Sequence, residues 1–194
     1  PGATGPTGAD GLPGEKGEQG ATGPIVQLPN QITNGGMETF SDDIPTEWFG
    51  PALAQSAQVL ASDDPDLVHS GNSAVMLMGT TGTTSTTLSQ NPEIDVQGAS
   101  FKCSFSAMAE GSPSLIATLI FYKGKTPISS SSTSMLIQVG SLPDRTMGYG
   151  QYFFMTDMVA PLEATNIQIS FTANNLSEDG VTDVVYIDDV FIYI

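Results

Sequence analysis

The chain has 194 residues, in which 21 Asp plus Glu outnumber five Lys plus Arg and give a net charge of −16 at pH 7. So large a negative charge repels phosphate groups, which argues against nucleic acid and anionic membranes as partners. With one cysteine no intrachain disulfide can form, and no apolar run is long enough to span a membrane.

Glycine recurs at every third position near the amino terminus, at Gly2, Gly5, Gly8, Gly11, Gly14, Gly17, Gly20 and Gly23. Only a collagen triple helix requires this spacing, because three polyproline-II strands leave no room for a side chain on their common axis. We therefore predict a collagen-like stalk over residues 1–24, a connector over 25–33 and a globular tip over 34–194. Since one chain cannot form a triple helix, the same repeat predicts a homotrimer. Pro1 stands in mid-repeat, so we expect a longer stalk upstream, through which the fibre would join a surface-anchoring protein.

Beyond the stalk, short runs rich in Thr, Val, Ile, Phe and Tyr alternate with Gly, Pro, Asn, Asp and Ser. That pattern is typical of β-strands joined by turns, and no segment has a helical period with caps. Strands are predicted over residues 75–78, 84–90, 101–109, 115–123, 134–139, 151–159, 166–173 and 184–194. So many short strands in one domain predict an all-β fold, an antiparallel β-sandwich or jelly roll.

Two of these strands are apolar on both faces, at residues 115–122 and 184–193. In the second, simple alternation puts Val185, Ile187, Phe191 and Tyr193 on one face and Val184, Tyr186, Val190 and Ile192 on the other. A strand that is apolar on both sides is usually covered on both sides. We expect either a neighbouring subunit or a long loop to cover the outward side.

Several segments of the tip resemble galactose-binding-like jelly rolls, the β-sandwiches of many carbohydrate-binding modules. They include the opening Asn34-Gly-Gly-Met-Glu38, then Pro45-Thr-Glu-Trp48 and Val68-His-Ser-Gly-Asn-Ser-Ala-Val-Met-Leu77, and the closing Tyr186-Ile-Asp-Asp-Val-Phe-Ile192. The resemblance covers residues 31–194 in the family's order, and it implies the fold without specifying a ligand. It also implies that Trp48 faces the core.

The collagen-like stalk with a globular tip separately resembles the collagen-like glycoproteins of bacterial spore surfaces. That resemblance implies an extracellular protein of the exosporium or of a cell-surface fibre. A structural role follows from it, in which a trimeric tip caps the stalk and sets the register of its chains.

A calcium site is implied by the jelly-roll resemblance. In that family a Glu just after the Asn-Gly-Gly segment and an Asp of the last strand often share a structural Ca²⁺, and these positions are Glu38 and Asp188 here. Gly36 and Asn72 would contribute main-chain carbonyls, a donor set that suits a hard cation. His69 departs from the pattern, because some relatives offer an acidic side chain there. The alternative is that Glu38 and Asp188 accept hydrogen bonds from nearby backbone groups at a strand end.

The sequence favours a non-enzymatic protein over an enzyme. His69, the one histidine, lies in a predicted loop, and no serine stands in a nucleophile elbow. Cys103 shares a strand face with Phe101 and Phe105, which indicates a buried structural thiol. The functional alternative to a structural tip is an adhesin that binds glycans, with Tyr122, Tyr149 and Tyr152 as the candidate stacking residues.

Overall fold

The computed structural model of the protein describes residues 1–5, 30–50, 56–92, 94, 96–178 and 182–194. These residues form β-strands and two single turns of 3-10 helix, Pro65–Leu67 and Ser129–Ser131. In chain order the strands are β1 (Phe40–Ser41), β2 (Ile44–Pro45), β3 (Ser56–Leu60), β4 (Ser73–Leu77), β5 (Ser85–Gln90), β6 (Lys102–Glu110), β7 (Ser114–Lys123), β8 (Thr126–Pro127), β9 (Thr133–Ile137), β10 (Gly150–Met155), β11 (Asn166–Asn174) and β12 (Val184–Tyr193). Most of the predicted stalk and connector, residues 6–29, lies outside the described residues.

Most of the strands form two antiparallel sheets that pack face to face, and β1 and β2 form a separate two-stranded sheet. The front sheet has the order β10-β6-β12-β4-β3, and the back sheet has the order β5-β11-β7-β8, with β9 also paired to β7. This architecture confirms the predicted all-β sandwich. Among the described residues, no helix is both long and apolar enough to cross a membrane.

The eight predicted strands correspond to β4 to β7 and β9 to β12. The sequence prediction missed β1, β2 and β8, which have two residues each, and the edge strand β3. It also extended β10 too far, to residue 159. The chain leaves the front sheet at Thr156, whose N–H donates to Phe101 O at 2.9 Å.

The core lies between the sheets and is built from alternate residues of the long strands. Strand β7 contributes four fully buried side chains, Leu115, Ala117, Leu119 and Phe121. Phe105 of the front sheet meets Phe171 of the back sheet edge to face, with ring centroids 4.9 Å apart. Trp48 is buried against Phe171, as the resemblance implies.

A β-bulge in β12 overturns the simple alternation expected for the last strand. Val185 and Ile187 face the core, the register shifts between Asp188 and Phe191, and Asp189 adopts a φ of 49°. Beyond the bulge Val190 and Ile192 face the core, and Phe191 is 42% exposed on the outer face. The expected grouping of Phe191 with Val185 and Ile187 is therefore wrong, because the extra residue reverses the faces.

A loop covers half of the outer face of the front sheet. Val184, Tyr186 and Met108 form a second apolar cluster there, with Leu67 and Tyr149 packed against them. The Tyr149 hydroxyl donates to Leu67 O at 2.8 Å and ties two loops together over the sheet. For this part of β12, the outward side is therefore covered by loops of the same chain, one of the two expected alternatives. The outer side of β7 remains partly exposed at Ile116 and Ile120.

Candidate functional site

The turn at residues 34–38 places Glu38 beside the front sheet. Asn34 organises this turn, since its Oδ1 accepts hydrogen bonds from the N–H groups of Glu38 at 2.9 Å and Thr39 at 3.1 Å. Val190 N–H donates to Gly35 O at 2.8 Å, which joins the turn to the strand just after the bulge. The Asn-Gly-Gly segment thus brings the first and last parts of the domain together.

Glu38 holds one end of a loop formed by His69, Ser70, Gly71 and Asn72, the 69–72 loop. Asn72 N–H donates to Glu38 Oε1 at 3.0 Å, and the amide Nδ2 of Asn72 lies 3.3 Å from Oε2. Gly71 has a φ of +71°, and a Cβ at that position would overlap the Glu38 carboxylate. Glycine is therefore favoured here, because another residue would strain the backbone and displace the Glu38 carboxylate.

Asp188 and Asp189 hold the other end of the 69–72 loop. Asp188 Oδ2 accepts hydrogen bonds from the N–H groups of His69 and Ser70, both at 3.1 Å. Asp189 Oδ2 lies 2.6 Å from His69 Nδ1, and Ser70 Oγ donates to Asp189 Oδ1 at 2.8 Å. The bulge makes this possible, because it presents two successive aspartates to the same loop.

Asp188 is a buried carboxyl group without a basic partner in the described residues. Its side chain is 0% exposed, and burial raises its pKa to about 7, against the lowering effect of the N–H groups that it accepts from. The ion pairs found in the described residues join other carboxylates, to Arg145 and His69. A cation bound nearby would stabilise the ionised form of such a buried carboxyl group.

The predicted calcium ligands lie together only in part. Glu38 and Asp188 converge on the 69–72 loop. Both accept hydrogen bonds from its backbone N–H groups, which is the arrangement expected if they do not bind a metal. No three His, Cys, Asp or Glu side chains are arranged to hold a metal within the described residues. Ca²⁺ prefers carboxylate and carbonyl oxygens, and of the two predicted main-chain carbonyls that of Asn72 already accepts a hydrogen bond from Ala61 N–H at 2.8 Å.

The three candidate tyrosines lie in three different places. Tyr149 is tied to Leu67 O in the loop cover, and burial raises its pKa. Tyr152 points inward and stacks on Phe105, with ring centroids 5.2 Å apart. Tyr122 lies on the outer face of the back sheet, where its hydroxyl donates to another side chain at 3.0 Å. The structure does not bring these residues together in one site.

The uncovered half of the front sheet instead carries two exposed aromatic residues side by side. Phe153 of β10 and Phe191 of β12 are both register partners of Ser104, on opposite sides of β6. Their Cα atoms are therefore about 10 Å apart, two strand spacings. Phe153 is 62% exposed, so the two rings border a gap with the small Ser104 at its floor. A group between the two rings could therefore be in van der Waals contact, at about 4 Å, with both of them.

Polar and apolar residues continue this surface above and below the two rings. One row above, β10 and β6 place Gln151 beside Ser106, and one row below they place Met155 beside Lys102. We call the uncovered outer surface of the front sheet the aromatic face, made by Ser104, Gln151, Phe153, Met155, Phe191 and Tyr193.

Two depressions meet at Phe153 on this surface. The upper one has a volume of about 130 Å³ and is lined by Ser104, Ser106, Gln151, Phe153, Asp189 and Phe191. The lower one, of about 340 Å³, is lined by Lys102, Phe153, Met155 and Tyr193 among others. Asp189 therefore contacts the 69–72 loop and also lies at the rim of the aromatic face.

The chemistry that the aromatic face offers is contact and hydrogen bonding. Its rings present apolar surface, and Ser, Gln, Asp and Lys side chains around them donate or accept hydrogen bonds. Cys103, the nearest thiol, points into the core and is 1% exposed, and burial raises its pKa. It therefore cannot act as a nucleophile on this surface.

Sequence reasoning missed Phe153 and Phe191. One signal was present for the first: Tyr152-Phe-Phe-Met155 is apolar at four successive positions, so a strand there must expose one aromatic face. No such signal existed for Phe191, since its orientation depends on the bulge.

No protein-family model matches the chain, and no curated protein is similar to it at a significant level. Solved structures with the same fold do exist. TmCBM61 in complex with β-1,4-galactotriose is 16% identical with a TM-score of 0.61, and the alignment covers 85% of this chain and 98% of that chain. The enzymatically active domain of bacteriophage CBA120 tailspike protein 4 is 16% identical with a TM-score of 0.59, over 84% of this chain and 21% of that chain.

A cyclase from Fischerella sp. is 10% identical with a TM-score of 0.55, over 85% of this chain and 94% of that chain. Identities this low establish a shared fold and no more. The described domain therefore has the jelly-roll fold that is also found in carbohydrate-binding modules, and proteins with other activities share this fold.

Proposed function

We propose that the tip is a non-enzymatic glycan-binding domain and that the aromatic face is its binding surface. The observation that carries the proposal is the pair of exposed rings, Phe153 and Phe191, on either side of Ser104. A pyranose ring has apolar C–H faces and a hydroxyl rim, so it can rest against aromatic rings while polar groups bind its edge. Gln151 and Asp189 stand at the right place for such contacts.

The charge of the protein favours an uncharged glycan. Asp189 borders the upper depression, and the whole chain carries a net charge of −16. Uronic acids, sialic acids and sulfated sugars would therefore be repelled, whereas hydroxyl groups can donate to the Asp189 carboxylate.

The glycan-binding tip would stand at the end of a fibre. Eight Gly-X-Y triplets precede it, which supports a collagen-like stalk, a homotrimer and an extracellular position on a bacterial surface such as that of a spore. A trimer multiplies weak glycan contacts, because binding through one tip raises the effective concentration of the others. The purely structural role, in which the tip caps the stalk and sets its register, is the second candidate and rests on the same repeat.

We also propose that Ca²⁺ reinforces the 69–72 loop when it is present. Glu38 and Asp188 would hold the ion, with main-chain carbonyls of Gly36 and Asn72. The support is the buried Asp188 carboxyl group, which has no basic partner in the described part of the chain and whose raised pKa a bound cation would lower. Because Asp189 follows Asp188 and borders the aromatic face, the ion would also fix one rim of that face.

The test is binding of the full chain to an array of neutral and acidic oligosaccharides. Wild-type protein should bind a set of neutral glycans, and Phe153→Ala and Phe191→Ala should each weaken that binding about thirtyfold, from roughly 2 kcal/mol for a central aromatic contact. Phe49→Ala is the matched control, because Phe49 is also about half exposed but lies at the edge of the back sheet.

Failure of the wild-type protein to bind any neutral glycan would leave the structural role as the better account. An equal loss with Phe49→Ala would show that the aromatic face is not the binding surface.

A further inference from the structure

Exposed apolar side chains gather at one end of the sandwich. Met158, Val159 and Leu162 follow β10, Ile194 follows β12, and these four residues are the base. Leu162 is 89% exposed. Isolated exposed apolar residues are ordinary, whereas a group of them on one surface marks an interaction site.

Hydrogen bonds fix where the base lies. Thr156 N–H donates to Phe101 O, and Ala160 N–H donates to Ala99 O, so the chain runs past the beginning of β6. Thr165 N–H then donates to Tyr122 O, at the end of β7. The segment between them therefore closes the sandwich at the end where β6 begins and β7, β10 and β12 finish.

The chain enters the tip at this same end. Gln31 N–H donates to Ile192 O at 2.8 Å, and Asn30 Oδ1 accepts from Ile192 N–H at 2.9 Å. Residues upstream of Asn30 carry the Gly-X-Y repeat, which needs two further copies of the chain. Three tips joined through such a repeat would meet at the end of the sandwich where Asn30 and Gln31 lie.

The base also has the charges that a contact between copies requires. Lys102, Lys123 and Lys125 lie at this end of the sandwich, and they are three of the five Lys plus Arg in the chain. Asp157 and Glu163 flank the apolar residues and supply the opposite charge. At a net charge of −16, copies of this protein repel one another over most other surfaces, so the base is where they can approach.

We propose that the base binds two further copies of this chain and forms the trimer contact of the tip. Apolar contact would come from Met158, Val159, Leu162 and Ile194, and complementary charge from the lysines and acidic residues around them. The proposal rests on the homotrimer proposed above and not on glycan binding, since residues 158–162 lie beyond the end of β10 and off the aromatic face.

The test compares the mass of the full chain in solution, by light scattering, with the melting of the Gly-X-Y segment, by circular dichroism. Wild-type protein should have about three times the chain mass of 20.2 kDa. A Val159→Asp and Leu162→Asp double variant should dissociate to one chain or lower the melting temperature of the collagen-like segment. The matched control is Leu136→Asp with Val139→Asp, which changes exposed residues at the opposite end of β7.

A disulfide experiment covers the case in which the aspartates disturb folding. The native thiol Cys103 is buried, so Leu162→Cys supplies one exposed thiol per chain and should form disulfide-linked dimers under mild oxidation. Leu136→Cys should not. The proposal is overturned if wild-type protein is a monomer, if the base variant keeps the mass and melting of the control, or if both cysteine variants cross-link equally.

Discussion

His69 Nδ1 lies 2.6 Å from Asp189 Oδ2, and this contact joins the 69–72 loop to the rim of the aromatic face. Asp188, the preceding residue, accepts two backbone hydrogen bonds from the same loop. A β-bulge places both aspartates, so one local irregularity of β12 anchors a loop on one side and shapes a candidate binding surface on the other. Substitutions in the 69–72 loop should therefore change the position of Asp189 at the rim of the aromatic face.

Gly71→Ala should destabilise the domain more than an alanine at another left-handed glycine. Its Cβ would overlap the Glu38 carboxylate in addition to the strain of a φ of +71°. We expect a loss of about 2–4 kcal/mol in the free energy of unfolding measured with urea. Gly82→Ala, where φ is +80° and the Cβ meets nothing within 4 Å, should cost about 1 kcal/mol. Equal losses would mean that Glu38 does not hold the loop.

Ser104→Leu should weaken glycan binding and leave the fold intact. The larger side chain would fill the gap between Phe153 and Phe191, and its position on the outer face requires no change in the core. Binding should fall at least about tenfold, or 1.4 kcal/mol, with little change in melting temperature. Ser170→Leu places the same side chain at the centre of the back sheet and should bind normally. A Ser104→Leu protein that binds like wild type would place the ligand elsewhere.

The Asp188 carboxyl should make the metal-free protein less stable as the pH rises from about 4 to about 7. Burial raises the folded-state pKa to about 7 from an ordinary value of 3.8, so the folded protein binds this proton more tightly than the unfolded chain. The contribution of Asp188 to stability is therefore greatest below pH 4 and is lost, by up to a few kcal/mol, as the group ionises.

Urea unfolding in the presence of a chelator, at several pH values, measures this dependence. Asp188→Asn should flatten the slope between pH 4 and pH 7, and added Ca²⁺ should restore stability to the wild-type protein at pH 7. Parallel slopes for the two proteins would show that Asp188 is not the group responsible.

The Cys103 thiol should be inert in the folded protein. It is 1% exposed, and burial raises its pKa, so very little reactive thiolate forms at neutral pH. Modification by a thiol reagent should be at least about a thousandfold slower in the native protein than in urea, since only the unfolded fraction reacts. Rapid labelling of native protein would contradict the placement of this strand face.

Much of the fold could be predicted from the sequence because its long strands follow a period of two. In β11, the buried residues Ile167, Ile169, Phe171 and Ala173 alternate with the polar residues Gln168, Ser170 and Thr172. Short strands such as β1 and β8 leave no such pattern, because two residues cannot show a period.

The candidate site could be predicted only in part. The resemblance located Glu38 and Asp188, and these residues do converge on one loop. The aromatic face could not be assigned, since the orientation of Phe191 depends on a bulge at Asp189, where aspartate tolerates the left-handed φ without a glycine to mark it. Tyr152, the predicted stacking residue of this segment, is pointed into the core by the strand register, whereas its neighbour Phe153 faces outward.

The most direct test of glycan binding at the aromatic face is an NMR titration of the full chain with a neutral oligosaccharide identified on the array. Backbone amide shifts should move at Ser104, Gln151, Phe153, Asp189 and Phe191, and those of the outer back sheet, such as Thr87 and Ser170, should stay fixed. Shifts confined to the back sheet, or none at saturating oligosaccharide, would contradict the account.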